Sequence, residues 1–274
     1  MTGGGSVVVR RQLGSKLRSL RLAAGKDVAD VTAAGLGSKA KISRIETGKG
    51  PVKVADIRAL CWLYGADQAT TDALAALAPG TQSEGWWEEY GAAVVPDWFG
   101  LYVGLEATAS RLRCFEPELV HGLVQTPDYA RAVIGADDRL DEAVVEHRVR
   151  FRMERQENVF GSDPLPTVSI ILGQGTVSLV AGSTETMAAQ LSHLRDMAER
   201  PNVHIRIVPF AAGAYPKRGS FALLEFDDAE DPSVAYVDVP MGARYFERPT
   251  QFAEYEYVYR VLEAKSVPIK EWTP

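Results

Sequence analysis

Cysteine is scarce in this chain, whose 274 residues include only Cys61 and Cys114. A disulfide-rich secreted scaffold needs several cysteine pairs, and a cysteine-based zinc finger needs closely spaced ligands, so both classes are excluded. Two distant cysteines fit a reducing compartment, and we expect a cytoplasmic protein.

Long apolar runs are also missing. No stretch approaches the ~18 consecutive apolar residues that a membrane span needs. The opening residues 1–6 lack the charged-then-apolar order of a signal peptide. We therefore expect no membrane partner.

Signatures of catalysis and of cofactor binding are absent as well. No P-loop and no serine nucleophile elbow occurs, and Gly173-Gln174-Gly175 lacks the third glycine of a dinucleotide fingerprint. The histidines show no metal-ligand spacing: His121, His147, His193 and His204. The sequence predicts no metal, no cofactor and no enzymatic activity.

What the sequence does contain is a strong asymmetry of charge. The net charge is -6, yet residues 1–65 hold twelve Lys or Arg against four Asp or Glu, a local charge of +8. The remaining residues then carry -14. A basic first quarter indicates a polyanionic partner, while the acidic remainder favours solubility.

The first quarter has the pattern of short helices separated by glycines. Leu13 and Leu17 recur at helical spacing, and Gly25 is placed to end that helix. Asp27 and Ser38 are placed to cap the second and third helices. Three further helices are predicted, over residues 28–34, 39–47 and 53–64.

The third of these helices has two different faces. Ile42 and Ile45 form its inward side, and the opposite side is polar. Only residues 35–37 separate it from the second helix, so the two helices cross sharply and the polar face stays prominent. This is the geometry that enters a major groove of DNA.

Three motifs here resemble the lambda-repressor-like (Cro/XRE) helix-turn-helix family: Leu17-Arg18-x-Leu20-Arg21, Leu36-Gly37-Ser38 and Lys41-Ile42-Ser43-Arg44-Ile45-Glu46-x-Gly48. The resemblance implies a structural ion pair between Arg21 and Glu46, and base contacts by Lys39, Ala40 and Arg44. With the polar face, it gives these candidate DNA-binding residues: Ser38, Lys39, Ala40, Lys41, Ser43, Arg44, Thr47 and Lys49. The alternative is a helical protein-interaction domain with solvated lysines; charge, caps and motif together favour DNA.

A second domain is predicted to follow Pro79-Gly80-Thr81, so that residues 1–80 and 81–274 form two domains. Helices are expected over 106–115, 129–134, 141–158 and 250–264, with another around Met187 and Leu194. Short runs rich in β-branched residues predict strands over 167–172, 203–209, 220–226 and 234–239. The fold class is α+β: an all-α helix-turn-helix domain before a larger domain of helices and a mixed α/β sheet.

Two features of the second domain allow two interpretations each. Aromatic residues around Trp86 and Trp98 favour core packing over a ligand cage. Arg148, Arg152 and Arg155 recur on one helical face with glutamates interleaved. This pattern favours a solvated, ion-paired surface over an anchor for an acidic partner or a small anion.

The second domain also resembles the domain of unknown function that follows this helix-turn-helix in many actinobacterial regulators. The similar segments include Gly122-Leu123-Val124-Gln125-Thr126, Arg152-Met153-x-Arg155-Gln156 and Pro201-Asn202-Val203. This resemblance implies an antitoxin-like transcriptional regulator, often paired with a small protein. We expect a repressor that binds a double-stranded DNA operator as a homodimer. The alternative is an antitoxin-like module that binds a small partner protein and autoregulates through its DNA-binding head.

Overall fold

The computed structural model describes residues 5–82, 85–216, 219–227, 231–239 and 242–273. The chain divides into two compact units, Met1–Glu88 with Asp228–Asp231, and Glu89–Asp227 with Pro232–Pro274. The first is helical and the second holds a mixed sheet, so the predicted α+β fold is confirmed. Within the described residues, no helix is long and apolar enough to cross a membrane.

The first unit is built from short helices. They are α1 Gly5–Ala23, α2 Val28–Ala33, α3 Lys39–Glu46, α4 Val54–Tyr64 and α5 Gln68–Ala76, followed by a 3-10 helix at Pro79–Gln82. A second 3-10 helix, Trp86–Tyr90, begins in this unit and ends in the second. Gly25, Gly48 and Gly65 follow three of these helices with φ of 65°, 67° and 73°. This left-handed backbone favours glycine and ends a helix. The predicted stop at Gly25 is confirmed.

One apolar core joins these helices. Leu13, Leu17, Val31, Ile42 and Ile57 are all 0% exposed, although they come from four different helices. Burying one such side chain contributes about 2 kcal/mol, so the core stabilises α2, α3, α4 and α5, which would be too short to persist alone.

The second unit alternates helices with strands. Its helices are α6 Asp97–Glu106, α7 Pro127–Ile134, α8 Glu142–Phe160, α9 Gln174–Ser178, α10 Thr184–Met197 and α11 Pro249–Lys265, with 3-10 helices at Gly122–Val124 and Phe210–Ala212. Its strands are β1 Arg111–Glu116, β2 Thr167–Gly173, β3 Val203–Val208, β4 Phe221–Glu225, β5 Val234–Val239, β6 Gly242–Phe246 and β7 Val267–Pro268.

These strands form one sheet in the order β6-β5-β4-β1-β2-β3-β7. β1, β2 and β3 are parallel to one another, while β4, β5, β6 and β7 pair antiparallel with their neighbours. One face packs on α11 through a cluster that includes Phe115, Leu223 and Leu262, each 0% exposed. On the other face Tyr102 of α6 meets Tyr236 of β5, with ring centroids 4.3 Å apart.

The helix expected over residues 106–115 is wrong. α6 ends at Glu106, and β1 begins at Arg111 and runs through the middle of the sheet. Leu112, Cys114 and Phe115 are all buried because both faces of a central strand are covered. Polar and apolar residues do alternate from Arg111 to Cys114, but a strand of six residues is too short for periodicity to separate it from the end of a helix.

Candidate nucleic-acid interface

The turn between α2 and α3 is short and rich in glycine. Gly35 and Gly37 adopt φ of 75° and 150°, values that residues with a Cβ rarely adopt. The next residue, Ser38, accepts a hydrogen bond from the Lys41 N–H at 3.2 Å and so caps α3. Asp27 caps α2 in a reciprocal capping box with Asp30. Both predicted caps are confirmed.

The inner face of α3 is fixed against the core. Ile42 and Ile45 are 0% and 5% exposed. A Cβ on Gly14 of α1 would lie 2.3 Å from the carbonyl oxygen of Ile45, so only glycine allows this approach of α1 to α3. The sequence reasoning did not identify Gly14, although a glycine inside a helical pattern often marks such a packing requirement.

Arg21 and Glu46 form the ion pair that the family resemblance implies. Arg21 Nε donates to Glu46 Oε1 at 2.6 Å and Nη2 donates to Oε2 at 2.8 Å. A third nitrogen, Nη1, donates to the carbonyl oxygen of Lys26 at 2.8 Å. Both charged side chains are only 8% exposed. The hydrogen bond to Glu46 raises the pKa of Arg21. The pair connects the end of α1 to the end of α3 and fixes the direction of α3.

The outer face of α3 and the turn after it are open to solvent. All eight side chains that the sequence proposed for DNA contact are exposed there: Ser38, Lys39, Ala40, Lys41, Ser43, Arg44, Thr47 and Lys49. They lie along one helix and its two ends, so the structure brings the whole predicted set together.

Three of these eight side chains already have partners. Ser38 caps the helix, Lys41 Nζ donates to Asp56 Oδ1 at 2.7 Å, and Thr47 Oγ1 donates to the Ser43 carbonyl at 2.6 Å. The side chains of Lys39, Ser43, Arg44 and Lys49 form no hydrogen bond or ion pair within the described ranges. These and the methyl group of Ala40 are available to a ligand.

Three arginines of α1 have a different role from the one that their charge indicates. Arg11 is 5% exposed, and its Nη1 lies 3.3 Å from Asp231 Oδ1. Arg10 Nε donates to the Thr81 carbonyl at 2.6 Å, and burial lowers the pKa of Arg10. These two arginines, like Arg21, are used within the unit. The cations open to a polyanion therefore lie mainly on and around α3.

The three arginines on α8 of the second unit do not form the solvated, ion-paired face that their spacing favoured. Arg155 is 5% exposed and binds Glu106 of α6. Arg152 donates to Gln125 Oε1 at 2.7 Å, and Arg148 donates to the Ala93 carbonyl at 2.9 Å. Two of the interleaved glutamates have other partners: Glu146 pairs with Arg131, and Glu154 accepts a hydrogen bond from Tyr90.

The capped turn and the exposed α3 define a helix-turn-helix, and this domain indicates a DNA-binding regulator. A family model described as a helix-turn-helix domain matches residues 12–74. A second model, Domain of unknown function (DUF5753), matches residues 99–271. That match covers more than half of the chain, which therefore belongs to the DUF5753 family. Neither a curated protein nor a solved structure matched the chain.

Proposed function

We propose that this chain is a Cro/XRE-type transcriptional repressor that binds its operator as a homodimer, with α3 in the major groove. The single observation that supports this most strongly is the arrangement of α3. Its inner side is fixed by Ile42 and Ile45, while Lys39, Ala40 and Arg44 stay exposed. A rigid helix with free polar side chains can read base edges.

Each of these three exposed residues has a defined chemistry toward bases. Arg44 can donate two parallel hydrogen bonds to guanine, and Ala40 can contact a thymine methyl group. Lys39 lies at the first position of α3, where it can reach either a base or a phosphate.

The backbone after α3 supports the position of Arg44. A Cβ on Gly50 would lie 2.9 Å from Arg44 Nη2, so the guanidinium lies against this glycine. Lys49, directly before it, is exposed and can bind a phosphate. In this proposal, phosphate contacts fix the position of the helix and Arg44 reads the sequence.

A dimer follows from the size of the reading helix. α3 has eight residues and covers only a few base pairs. Two copies on half-sites about 34 Å apart, one turn of DNA, give enough contacts for specificity. Such a dimer blocks access to a promoter that it covers. The proposed role is regulatory and includes no catalysis; the absence of enzymatic activity stays a prediction.

Mapping of bound genomic fragments with the purified full chain tests this proposal. We expect enrichment of an inverted repeat with half-sites about one helical turn apart. Transcription from such promoters should fall when the chain is added. Recovery of fragments without a shared sequence, or of single half-sites, would contradict the dimeric repressor.

One observation favours the antitoxin-like alternative as a second candidate. Leu179 and Val180 are 56% and 59% exposed, and Phe210 is 70% exposed. The Phe210 N–H donates to Gln174 Oε1 at 2.7 Å, which ties Phe210 to the helix that leads into Leu179. We infer that these three exposed side chains form one apolar surface, of the kind that binds a partner protein.

Co-purification from native cells separates the two candidates. A small protein that stays with wild type and is lost in Leu179→Ser with Phe210→Ser would support the partner-binding role. Leu165→Ser is the matched control, because Leu165 is also exposed, at 54%. Equal recovery with all variants would argue against this surface.

A further inference from the structure

The second unit contains a cavity of about 540 Å³. This volume lies within the range of sites for small organic ligands. Its lining combines apolar side chains, among them Phe99, Val133 and Phe221, with charged and polar ones. The sequence reasoning did not find this cavity, because its lining comes from segments far apart in the chain.

One wall of the cavity is the sheet itself. Cys114 of β1 pairs with Ala222 of β4, which pairs with Tyr236 of β5. Side chains two residues apart on a strand share a face, so Glu116 and Asp238 follow Cys114 and Tyr236 on the same face. Both carboxyl groups line the cavity.

Polar groups on this wall lack partners. Tyr236 is 6% exposed, and its hydroxyl has no hydrogen-bond partner in the described part of the chain. Within the same ranges, the carboxyl group of Glu116 also forms no hydrogen bond or ion pair. Burial, followed by the nearby charge of Asp238, raises the pKa of Glu116 to about 8. The Tyr236 hydroxyl oxygen has almost no accessible surface, whereas the half-buried carboxyl group of Glu116 lines the cavity, so a ligand that donates hydrogen bonds can pair with Glu116.

The opposite wall carries two arginines of α8. A Cβ on Gly122 would lie 3.1 Å from Arg155 Nη1 and 3.7 Å from Arg152 Nε, so the loop runs directly past both guanidinium groups. Arg155 is already neutralised by Glu106, with contacts of 2.5 and 2.6 Å.

Arg152 is the cation that remains. Its Nη1 donates to Gln125 Oε1 at 2.7 Å, and no carboxylate of the described residues pairs with it. Burial lowers the pKa of Arg152 to about 10, which leaves it charged at neutral pH. A half-buried charge without a carboxylate partner can be stabilised by an anionic ligand group.

His121 adds a neutral donor beside Arg152. Its Nδ1 accepts a hydrogen bond from the Leu123 N–H at 3.3 Å, which places the ring proton on Nε2. Burial, together with the charges of Arg155 and Arg152, lowers the pKa of His121 to about 3. The neutral ring lines the cavity and can donate to an acidic group.

We propose that this cavity is a binding site for a small zwitterionic organic molecule. Its acidic group binds Arg152 and the Nε2–H of His121. Its ammonium group donates to Glu116 and Asp238, and this positive charge favours the ionised form of Glu116 in the complex. The body of the molecule lies among the apolar side chains between the two walls.

Calorimetric titration of the purified full chain tests this site. The probes are ω-amino carboxylic acids of increasing chain length and dipeptides of glycine, leucine and phenylalanine. Each ω-amino acid is compared with the alkylamine and the alkanoate of the same length. We expect saturable binding of at least one zwitterion, with both single-group analogues at least about tenfold weaker.

Two substitutions then test which residue binds the acidic end of the ligand and which binds the amino end. Arg152→Gln should weaken the best zwitterion about tenfold or more and leave the alkylamine unchanged, while Glu116→Gln should weaken the zwitterion and leave the alkanoate unchanged. The matched controls are Arg150→Gln on the same helix and Glu254→Gln on α11, both exposed. These should bind like wild type.

Three results would overturn the proposal. They are no binding by any zwitterion, equal binding by a single-group analogue, and wild-type affinity in both Arg152→Gln and Glu116→Gln. The comparison of probes uses only wild-type protein, so it decides the matter even if a substitution prevents folding.

Discussion

Each unit of this chain contains a two-point ion pair between an arginine and a glutamate of two helices, and the two pairs differ in surroundings. In the first unit, the side chains of Arg21 and Glu46 are each 8% exposed. The Arg21 guanidinium also donates a hydrogen bond to the backbone carbonyl of Lys26. In the second, the side chains of Arg155 and Glu106 are 6% and 0% exposed. The ring centroids of Phe99 and Tyr102 both lie 5.3 Å from the Arg155 guanidinium carbon.

The difference shows how one interaction serves two purposes. The Arg21–Glu46 pair fixes a helix whose other face remains open, so its charges are used for orientation. The Arg155–Glu106 pair neutralises one arginine beside a cavity and leaves Arg152 as the remaining cation. Burial disfavours charge on Arg155, but Glu106 more than offsets this and raises its pKa.

The largest effect is expected from Glu106→Gln. It leaves Arg155 buried without a counter-charge, which costs about 3–5 kcal/mol. Urea denaturation of the full chain should show this loss of stability in the second unit and not in the first. Glu254→Gln, an exposed change on α11, should cost less than about 0.5 kcal/mol. A loss below about 1 kcal/mol in Glu106→Gln would mean that Arg155 reaches water.

Glu46→Ala should be the next most severe change. Arg21 keeps its bond to the Lys26 carbonyl, so we expect about 3 kcal/mol, near the lower end for a buried pair. Thermal melts of the full chain measure this. The double change Arg21→Met with Glu46→Leu should recover much of the loss, because no charge is stranded. A melt of Glu46→Ala like that of wild type would show that the pair contributes little.

Arg44→Ala tests the open face of α3. Loss of a two-point contact to guanine should lower specific affinity by about 1–3 kcal/mol and relax preference at one base pair. Operator titration at fixed salt gives the value, and Arg18→Ala, exposed on α1, is the control. Unchanged affinity and preference in Arg44→Ala would remove this residue from the readout.

A smaller effect is expected from mild acid, over the single pH unit below pH 6.5, through His121. Its pKa is lowered to about 3 by burial, so the unfolded chain binds a proton first as the pH falls below 6.5. Stability that is complete above pH 6.5 is then lost, by about 1 kcal/mol for each pH unit toward pH 3. Urea midpoints at several pH values should fall less steeply in His121→Asn. Equal slopes of urea midpoint against pH in wild type and His121→Asn would mean that His121 takes up its proton in the folded state.

The smallest effect concerns Lys41, whose Nζ forms an ion pair with Asp56 Oδ1 at 2.7 Å. Asp56→Asn should release this lysine for a phosphate and strengthen non-specific DNA binding by less than about 1 kcal/mol. The fall of DNA affinity with rising salt should steepen by the amount expected for about one additional phosphate contact. Asp72→Asn, which removes the partner of Arg58, makes the same charge change away from α3 and should do less. Equal gains in both variants would reflect net charge alone.

Local signals account for most of what the sequence predicted. Helix ends depend on a few adjacent residues and are therefore predictable from the sequence, as the caps at Asp27 and Ser38 and the glycine at Gly25 show. The exposed face of α3 follows from helical periodicity in the same way. β1 was missed because its pairing with β2 and β4 decides its conformation, and those partners are distant in the chain.

The sequence by itself determined the helix-turn-helix with its exposed residues, the basic first quarter and most of the strands, because caps, periodicity and charge act over a few residues. Tertiary structure alone decided which charges are buried or paired and which face a cavity. It buried Arg11 beside Asp231, joined Arg155 to Glu106, and placed Glu116 and Asp238 on one cavity wall. Whether a charge meets water or a partner depends on elements that only folding brings together.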